Sequence, residues 1–321
     1  MSAAGDDHGQ VLRDFLIWLE QNDPSGNAWY LDERPVEAAE VAAAGPAAGA
    51  PQVVASAPSE AEVPEPASSA TSMPAPVVKA SPAPATAVPA DDGFEIDCNR
   101  FVTEILDLVR RHGSDTGQAL PPDPLLTRHA GDASAALAEL RDQVLPCQAC
   151  SLHEGRTTTV FGAGNPSAGV VFIGEAPGRD EDLQGEPFVG RSGQLLTKIL
   201  GAIGFARDDV FICNILKCRP PNNRDPEAVE VAACEPHLKR QLAILRPHLI
   251  CCLGRVAAQT LLGTGASLRT LRSTAHFYAG IPVLATYHPA ALLRNPQWKR
   301  DTWNDVRKLR ALHDALAARG D

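Results

Sequence analysis

The sequence predicts an α/β protein, a three-layer α/β/α fold with a central, largely parallel four-stranded sheet, preceded by a disordered acidic extension. Two observations carry this prediction. After Cys150, short apolar runs alternate with helical patterns, which is typical of a largely parallel sheet covered by helices on both faces. Before that point, both composition and charge are different. The region 141–321 is long enough to bury one sizeable core.

Charge divides the chain into two parts. Residues 141–321 carry 22 Lys and Arg against 17 Asp and Glu, a net charge of +5, whereas residues 1–140 carry a net charge of −15. The total of −10 argues against a nucleic-acid partner when taken alone. The asymmetry instead indicates a mildly basic module with an acidic extension.

Three segments precede the predicted α/β module. Residues 1–35 contain a short amphipathic helical pattern, which can dock on the main domain or on a protein partner. Residues 36–92 are rich in Ala, Pro and Ser without an apolar face, which predicts a disordered linker. Residues 93–140 form a helical lead-in, with helical patterns at Phe94–His112 and Asp132–Val144. Deleting residues 1–140 is expected to leave the module active.

Within the module 141–321, four predicted strands alternate with four predicted helices. Each strand is a short apolar run that ends near glycine, proline or a polar residue. The elements are, in order, strand Val170–Ile173, helix Gln194–Gly201, strand Val210–Cys213, helix Pro226–Leu245, strand His248–Leu253, helix Gly254–Leu262, strand Ile281–Ala285 and helix Arg300–Leu316.

The sequence also predicts a compartment. No apolar run approaches the roughly 20 residues that a membrane-spanning helix needs, and the acidic N-terminus lacks the basic start of a signal peptide. We therefore expect a cytoplasmic monomer without a membrane partner. In a reducing compartment, the eight cysteines are expected to be metal ligands or core residues rather than disulfides.

Four cysteines are candidate metal ligands. Cys147 and Cys150 form a Cys-x2-Cys pair, and Cys218 and Cys234 follow further along the chain. Four thiolates suit zinc or an iron–sulfur cluster, but this spacing alone leaves unrelated thiols or a redox pair as alternatives. The cysteines within apolar strands are interpreted as core residues; these are Cys213, Cys251 and Cys252.

The first predicted strand runs into a loop with two glycines, a proline and four acids. This loop extends from Gly174 to Asp182 and contains Glu175 and Glu181. Ligands bind at this end of strands in open α/β sheets, and glycines allow close approach of backbone to a ligand. The loop is therefore either a ligand loop with carboxylate chemistry or an acidic surface turn.

Asn214 ends the second predicted strand. Its side-chain amide can accept from the N3–H of uracil while donating to O4, whereas cytosine presents the opposite pattern. One fixed Asn can therefore distinguish the two bases. The simpler alternative is an Asx turn at the end of a strand.

His288 ends the last predicted strand, and Pro289 then begins a helical turn. A histidine here can donate to an oxygen that gains negative charge. The following Leu292, Leu293 and Arg294 offer an apolar wedge beside a cation, which suits insertion into a base stack. The alternative is a capped helix with a surface histidine.

Together these loops and cysteines resemble the family 4 uracil-DNA glycosylases, the bacterial and archaeal iron–sulfur type within the uracil-DNA glycosylase superfamily. The resemblance covers about residues 145–316, and the matching stretches follow the order of the family; they are Gly174–Gly178, Gly185–Gly190, Asn214–Pro221 and His288–Asn295. It implies a DNA-repair enzyme that flips uracil out of DNA and hydrolyses its N-glycosidic bond, leaving an abasic site.

The resemblance also implies roles for residues of this sequence. A [4Fe–4S] cluster would be ligated by Cys147, Cys150, Cys218 and Cys234. The uracil pocket would contain Gly174, Glu175, Ala176, Phe188, Asn214 and His288. Catalysis would depend on Glu175, His288 and Glu181. DNA would be contacted by Lys217, Arg219, Arg224, Leu292, Leu293 and Arg294.

One position departs from the superfamily. Its best-known branch places an Asp directly after the residue that matches Glu175, and here that position is Ala176. We expect Glu175 first, and Glu181 second, to act as the base in place of this Asp. The alternative is that the reaction relies on stabilisation of the leaving group. The segment Lys217–Pro226 contains no His, so we expect turnover rather than a covalent crosslink. The alternative is a non-catalytic iron–sulfur module of the same fold that binds DNA or nucleotides.

Overall fold

The computed structural model describes residues 98–112, 119–274 and 276–319, and these belong to one compact unit. The predicted helix within residues 1–35 and the predicted linker 36–92 lie outside the described residues. In the described ranges, no helix combines the length and the apolar character that crossing a membrane requires.

The centre of the molecule is a six-stranded sheet. Its strands are β1 (Ala163–Gly164), β2 (Val170–Gly174), β3 (Phe211–Asn214), β4 (Leu249–Leu253), β5 (His276–Tyr278) and β6 (Ile281–Thr286). The strand order is β1-β3-β2-β4-β6-β5. The four inner strands are parallel, as predicted, and β1 and β5 add short antiparallel edges that the sequence analysis missed.

Helices cover both faces of this sheet, which confirms the three-layer fold. They are α1 (Cys98–His112), α2 (Pro124–Arg128), α3 (Ala133–Val144), α4 (Leu152–Gly155), α5 (Arg179–Gln184), α6 (Arg191–Ala202), α7 (Ala228–Leu245), α8 (Arg255–Leu262), α9 (Leu268–Ser273), α10 (Pro289–Arg294) and α11 (Lys299–Ala317).

The register brings the carboxyl ends of the inner strands together. Gly174 of β2 lies opposite Asn214 of β3, and Leu253 of β4 lies opposite Thr286 of β6. Strands β3 and β4 lie on opposite sides of β2, so the order of the strands along the sheet reverses at β2. Ligands bind at such switch points in open α/β sheets.

Three of the inner strands, β2, β3 and β4, are buried along their whole length. All five residues of β2 and of β4 are buried, which explains their continuous apolar sequences. Three cysteines lie in these strands or in β3 and are buried in the core, as predicted; they are Cys213, Cys251 and Cys252.

The N-terminal helices share this core, which changes one expectation. Ile105, Leu137 and Leu140 are buried, α1 packs on α11, and α3 packs on α7. The buried carboxylate of Asp123 pairs with Arg240 of α7, with 2.7 Å between Oδ2 and Nε. The packing argues against the expectation that residues 1–140 can be deleted without loss of activity, because these helices contribute buried residues to the core.

Candidate active site

A cleft of about 370 Å³ opens at the carboxyl ends of β2, β3 and β6. Its walls are the loops that follow these three strands. The predicted site residues that line it are Glu175, Ala176, Glu181, Phe188, Asn214, Arg224, His288 and Arg294. Further lining residues that the sequence analysis did not single out include Ser192, Asn223 and Asp225.

Asn214 lies at the base of the cleft with an unsatisfied acceptor. The side chain is only 1% exposed, and its Oδ1 is buried without a hydrogen-bond partner. A Cβ atom at Gly174 would lie 2.3 Å from this oxygen and 2.6 Å from Cζ of Phe188. Gly174 therefore provides the space in which the amide and the ring come together, and a buried orphan acceptor of this kind indicates a ligand.

Phe188 forms an aromatic wall of the same cleft. Its ring centroid lies 5.5 Å from that of His288, with 33° between the planes. Its backbone has a positive φ of 53°, which is rare for a bulky residue and indicates local strain. A Cβ at Gly193 would lie 1.9 Å from the Phe188 carbonyl oxygen, so only glycine fits there.

Glu181 holds this strained loop in place. Its Oε1 accepts from the backbone N–H of Val189 at 2.9 Å and of Gly190 at 3.0 Å, and its Oε2 accepts from Gly178 at 3.1 Å. We call this arrangement the Glu181 clamp. Both oxygens are occupied by backbone donors, so the structure gives Glu181 a role in loop geometry.

Glu175 is half-buried at the rim of the same cleft. Burial raises the pKa of its carboxyl to about 7, the negative charge of Asp225 adds to this rise, and Arg255 opposes it. Arg255 and Asp225 form an ion pair, with 3.0 Å between Nη2 and Oδ2. A carboxyl with a pKa near neutrality is suited to proton transfer at physiological pH.

His288 caps helix α10 and remains neutral. Its Nδ1 accepts from the backbone N–H of Ala290 at 3.1 Å, which leaves the ring proton on Nε2. Burial, followed by the positive charge of Arg294, lowers the pKa of His288 to about 4. The side chain is thus a neutral donor at neutral pH, and it combines the capping role with a position in the cleft.

Two predicted DNA contacts are wrong. Lys217 is only 1% exposed, and its ammonium donates to the backbone carbonyl of Asn214 at 2.8 Å, so it cannot reach a phosphate. Leu292 is only 1% exposed and is part of the packing under α10, so it cannot insert into a base stack. Its neighbour Leu293 is half-buried, and Arg294 is exposed.

The two remaining predicted cations lie on the loop after β3. Arg224 forms a bidentate ion pair with the buried Glu230, at 2.9 and 2.6 Å, while it lines the cleft. Arg219 donates from Nε to Oδ1 of Asn223 at 2.8 Å. Both side chains are therefore held by neighbours, and they stiffen the loop that carries them.

The four candidate ligand cysteines line one small cavity, together with Arg156, Lys217 and His237. Three nitrogen–sulfur contacts occur there: Arg156 Nη1 to Cys218 Sγ at 3.3 Å, Lys217 N to Cys234 Sγ at 3.2 Å, and His237 Nε2 to Cys147 Sγ at 3.3 Å. All eight cysteines of the chain are free.

Four thiols around one cavity are a donor set that fits an iron–sulfur cluster. Within the described residues, no three or more His, Cys, Asp and Glu side chains are arranged to hold one metal ion. A tetrahedral zinc site requires four donors about 2.3 Å from one atom, whereas a cluster spreads its thiolates more widely. Hydrogen bonds to the sulfurs are typical of iron–sulfur proteins.

Four residues at these two sites were not predicted from the sequence: Asp225, Arg255, Arg156 and His237. Asp225 directly follows Arg224, a predicted DNA contact. Its place in the sequence could therefore have identified it. Arg156 and His237 lie outside the quoted motifs, and only the fold brings them to the cysteines.

A cleft at the carboxyl edge of the strands of an open α/β sheet is typical of α/β enzymes. The model of the Uracil DNA glycosylase superfamily matches residues 161–307. The Type-4 uracil-DNA glycosylase of Archaeoglobus fulgidus is 46% identical over 182 residues, which are 54% of this chain and 92% of that protein. Those of Saccharolobus solfataricus and Thermotoga maritima are 45% and 42% identical, over 83% and 91% of their lengths and 53% of this chain. The chain belongs to the type-4 uracil-DNA glycosylase family, which confirms the resemblance.

Proposed function

We propose that this chain is a uracil-DNA glycosylase, which hydrolyses the N-glycosidic bond of uracil in DNA and leaves an abasic site. The activity of its type-4 relatives supports this reaction. The observation that carries it in this chain is the buried Oδ1 of Asn214, which has no partner and belongs to a residue lining the cleft. A flipped base is the ligand that satisfies it.

Asn214 selects uracil in this proposal. Its Oδ1 accepts from N3–H of the base, and its amide nitrogen donates to O4. Cytosine would place an acceptor against Oδ1 and a donor against the amide nitrogen. Leaving such a buried group unpaired costs about 1–3 kcal/mol, so cytosine binds less favourably than uracil. Phe188 stacks on the flipped base and Gly174 leaves room for it.

His288 and Glu175 act on the two products of bond cleavage. Breaking the N-glycosidic bond leaves negative charge on uracil and positive character on the sugar. Neutral His288 donates from Nε2 to O2 of the leaving base. Ionised Glu175 orients the attacking water and faces the sugar. Ala176 brings no carboxylate, so Glu175 is the proposed base, and Glu181 is a positioning residue that keeps Phe188 in place.

The proposed DNA contacts lie around the mouth of the cleft. Leu293 enters the space left by the flipped nucleotide, and Arg294 approaches a phosphate beside it. Arg219 and Arg224 contribute positive charge from the loop after β3. The absence of a histidine between Lys217 and Pro226 supports turnover without a lasting crosslink.

The cysteine cavity is proposed to hold a [4Fe–4S] cluster through Cys147, Cys150, Cys218 and Cys234. When bound, the cluster supplies a structural crosslink between distant segments of the chain. Visible absorption tests this part: a broad band near roughly 400 nm, expected for thiolate-ligated iron, supports the cluster, and a colourless protein contradicts it. The cytoplasmic location, the monomeric state and a protein partner for the N-terminal segment stay predictions.

The function is tested with single-stranded DNA that contains one uracil. We expect the chain to release uracil and leave a site that breaks in alkali, with no protein–DNA band in a denaturing gel. Asn214→Asp should lower the single-turnover rate by about 10²-fold or more, because its carboxylate repels O4. Asn165→Asp is the matched control, since Asn165 serves a turn outside the cleft. If the unchanged chain yields no alkali-labile site, the proposed function is wrong.

A further inference from the structure

Lys217 lines the cysteine cavity and is hydrogen-bonded to Asn214, which lines the cleft. It is one of the largest fully buried side chains of the described part of the chain. Its Nζ donates to the carbonyl oxygen of Asn214 at 2.8 Å, while its backbone N–H donates to Sγ of Cys234 at 3.2 Å. One residue thus holds the amide-bearing residue of the cleft and a cysteine of the cavity.

The backbone around Lys217 ties these two regions into one rigid segment. The N–H of Ile215 donates to the carbonyl of Gly174, and that of Leu216 donates to the carbonyl of Glu175, both at 3.0 Å. On the other side, the carbonyl of Lys217 accepts from Val160 at 2.7 Å. A displacement of Lys217 would therefore be transmitted to both loops that carry the base-contacting groups.

The buried charge of Lys217 requires an anion nearby. A buried ammonium is strongly unfavourable unless it is paired, and no carboxylate forms an ion pair with Lys217 in ranges 98–112, 119–274 and 276–319. Lys217 instead lines the cavity together with the four cysteines and a second cation, Arg156. A cluster held by four thiolates carries net negative charge, which these two cations would balance.

We propose that Lys217 is the internal counter-ion of the cluster and a positioning residue for Asn214. Its charge compensates the thiolate-bound cluster, and its hydrogen bond fixes the strand end from which Asn214 reads the base. This inference rests on the proposed function. It means that the cluster affects base selection through the side chain of Lys217. It also explains why a lysine is buried where a surface cation was predicted.

Lys217→Met tests the proposal in the full chain, with Lys239→Met as the matched control. Both changes remove one positive charge, but Lys239 is a partly exposed residue of α7 that pairs with Glu235. We expect Lys217→Met to lower the reduction potential of the cluster, because the reduced, more negative form loses its counter-ion. The single-turnover rate on uracil DNA should fall roughly 10- to 100-fold with little change in KM, because Asn214 is misplaced within the bound complex. Lys239→Met should leave both quantities unchanged.

Lys217→Gln separates charge from hydrogen bonding, and it replaces Lys217→Met if that variant loses its cluster. Its amide can still donate to the Asn214 carbonyl but carries no charge, so the potential should fall while most of the rate remains. A wild-type potential in either variant overturns the counter-ion assignment. A wild-type rate in Lys217→Met overturns the positioning role. If the unchanged chain releases no uracil, the proposed function fails, whereas the shift in potential still decides the counter-ion role.

Discussion

Burial shifts the pKa values of Glu175 and His288 in opposite directions. Burial disfavours the charged form of each group, so it raises the pKa of Glu175 to about 7 and lowers the pKa of His288 to about 4. The imidazole therefore remains neutral over the range in which the carboxyl ionises. At neutral pH the cleft therefore contains a neutral hydrogen-bond donor, His288, and a carboxyl group, Glu175, that is present in both its ionised and its protonated form.

The pH dependence of the rate should follow Glu175. If its carboxylate acts on water, the single-turnover rate rises with pH through about 7 and then levels off, because the ionised form increases above the pKa. Asp225→Asn should move the midpoint to lower pH, since it removes the charge that helps to raise this pKa. Arg255→Gln should move it to higher pH. Rates measured at fixed ionic strength check all three profiles.

Glu175→Gln is the control for this profile, because it cannot ionise. It should be slower and should show no midpoint near pH 7. A rate that falls as pH rises through this range would mean that the protonated carboxyl is the active form, and it would contradict the proposed role as base.

At the level of elements, helix α10 places two adjacent leucines in different environments. The helix begins with Pro289 after the His288 cap, and successive side chains of a helix point about 100° apart. Leu292 therefore packs inward while Leu293 is partly exposed beside Arg294. The short helix presents one apolar group to the core and another to the mouth of the cleft.

Truncating Leu292 should change the stability of the protein, whereas truncating Leu293 should change its rate on double-stranded DNA. Leu292→Ala is expected to lower the free energy of unfolding by about 2–5 kcal/mol, the usual range for a buried leucine. Leu293→Ala should unfold like the unchanged chain but process uracil more slowly in double-stranded than in single-stranded DNA, because only the duplex requires unstacking. Urea unfolding and single-turnover rates measure the two effects. A large stability loss in Leu293→Ala would contradict this division.

The sequence predicts elements better than it predicts which side chains are buried. Continuous apolar runs identify the inner strands, since no other element of that length is apolar on both faces. The edges β1 and β5 span only two and three residues, too few for a pattern. Lys217 was expected to contact DNA because of the family resemblance, and only the fold shows its buried position between two sites. Likewise, six residues of α10 are too few to show which leucine faces the core.

On the scale of the whole molecule, the helices before residue 141 complete the core. Ala136 and Leu140 are fully buried, and α3 packs directly on α7, the helix that carries Cys234. The change in charge near residue 141 therefore does not mark the start of a separate unit. Net charge reports on partners rather than on fold.

Two truncations test this boundary. A chain that starts at Gly93 should retain the cooperative unfolding and the uracil-release rate of the full chain, because it keeps all described helices. A chain that starts at Arg141 should lose cooperative unfolding, because it lacks Ile105, Leu125 and Leu137, all buried in the full chain. Circular dichroism on heating and the abasic-site assay provide the comparison. Full activity in the shorter chain would contradict the shared core.

The Glu181 clamp has a consequence for the end of the reaction. Because it holds the Phe188 loop through the backbone N–H groups of Val189 and Gly190 and is itself hydrogen-bonded to that of Gly178, the stacking wall exists before any base arrives, and little conformational entropy is lost when one enters. The same rigidity persists after the glycosidic bond is broken. Released uracil still meets its stacking partner and its hydrogen-bond partners, so free base is expected to compete with DNA for the cleft, and departure of the base becomes a step that can limit turnover.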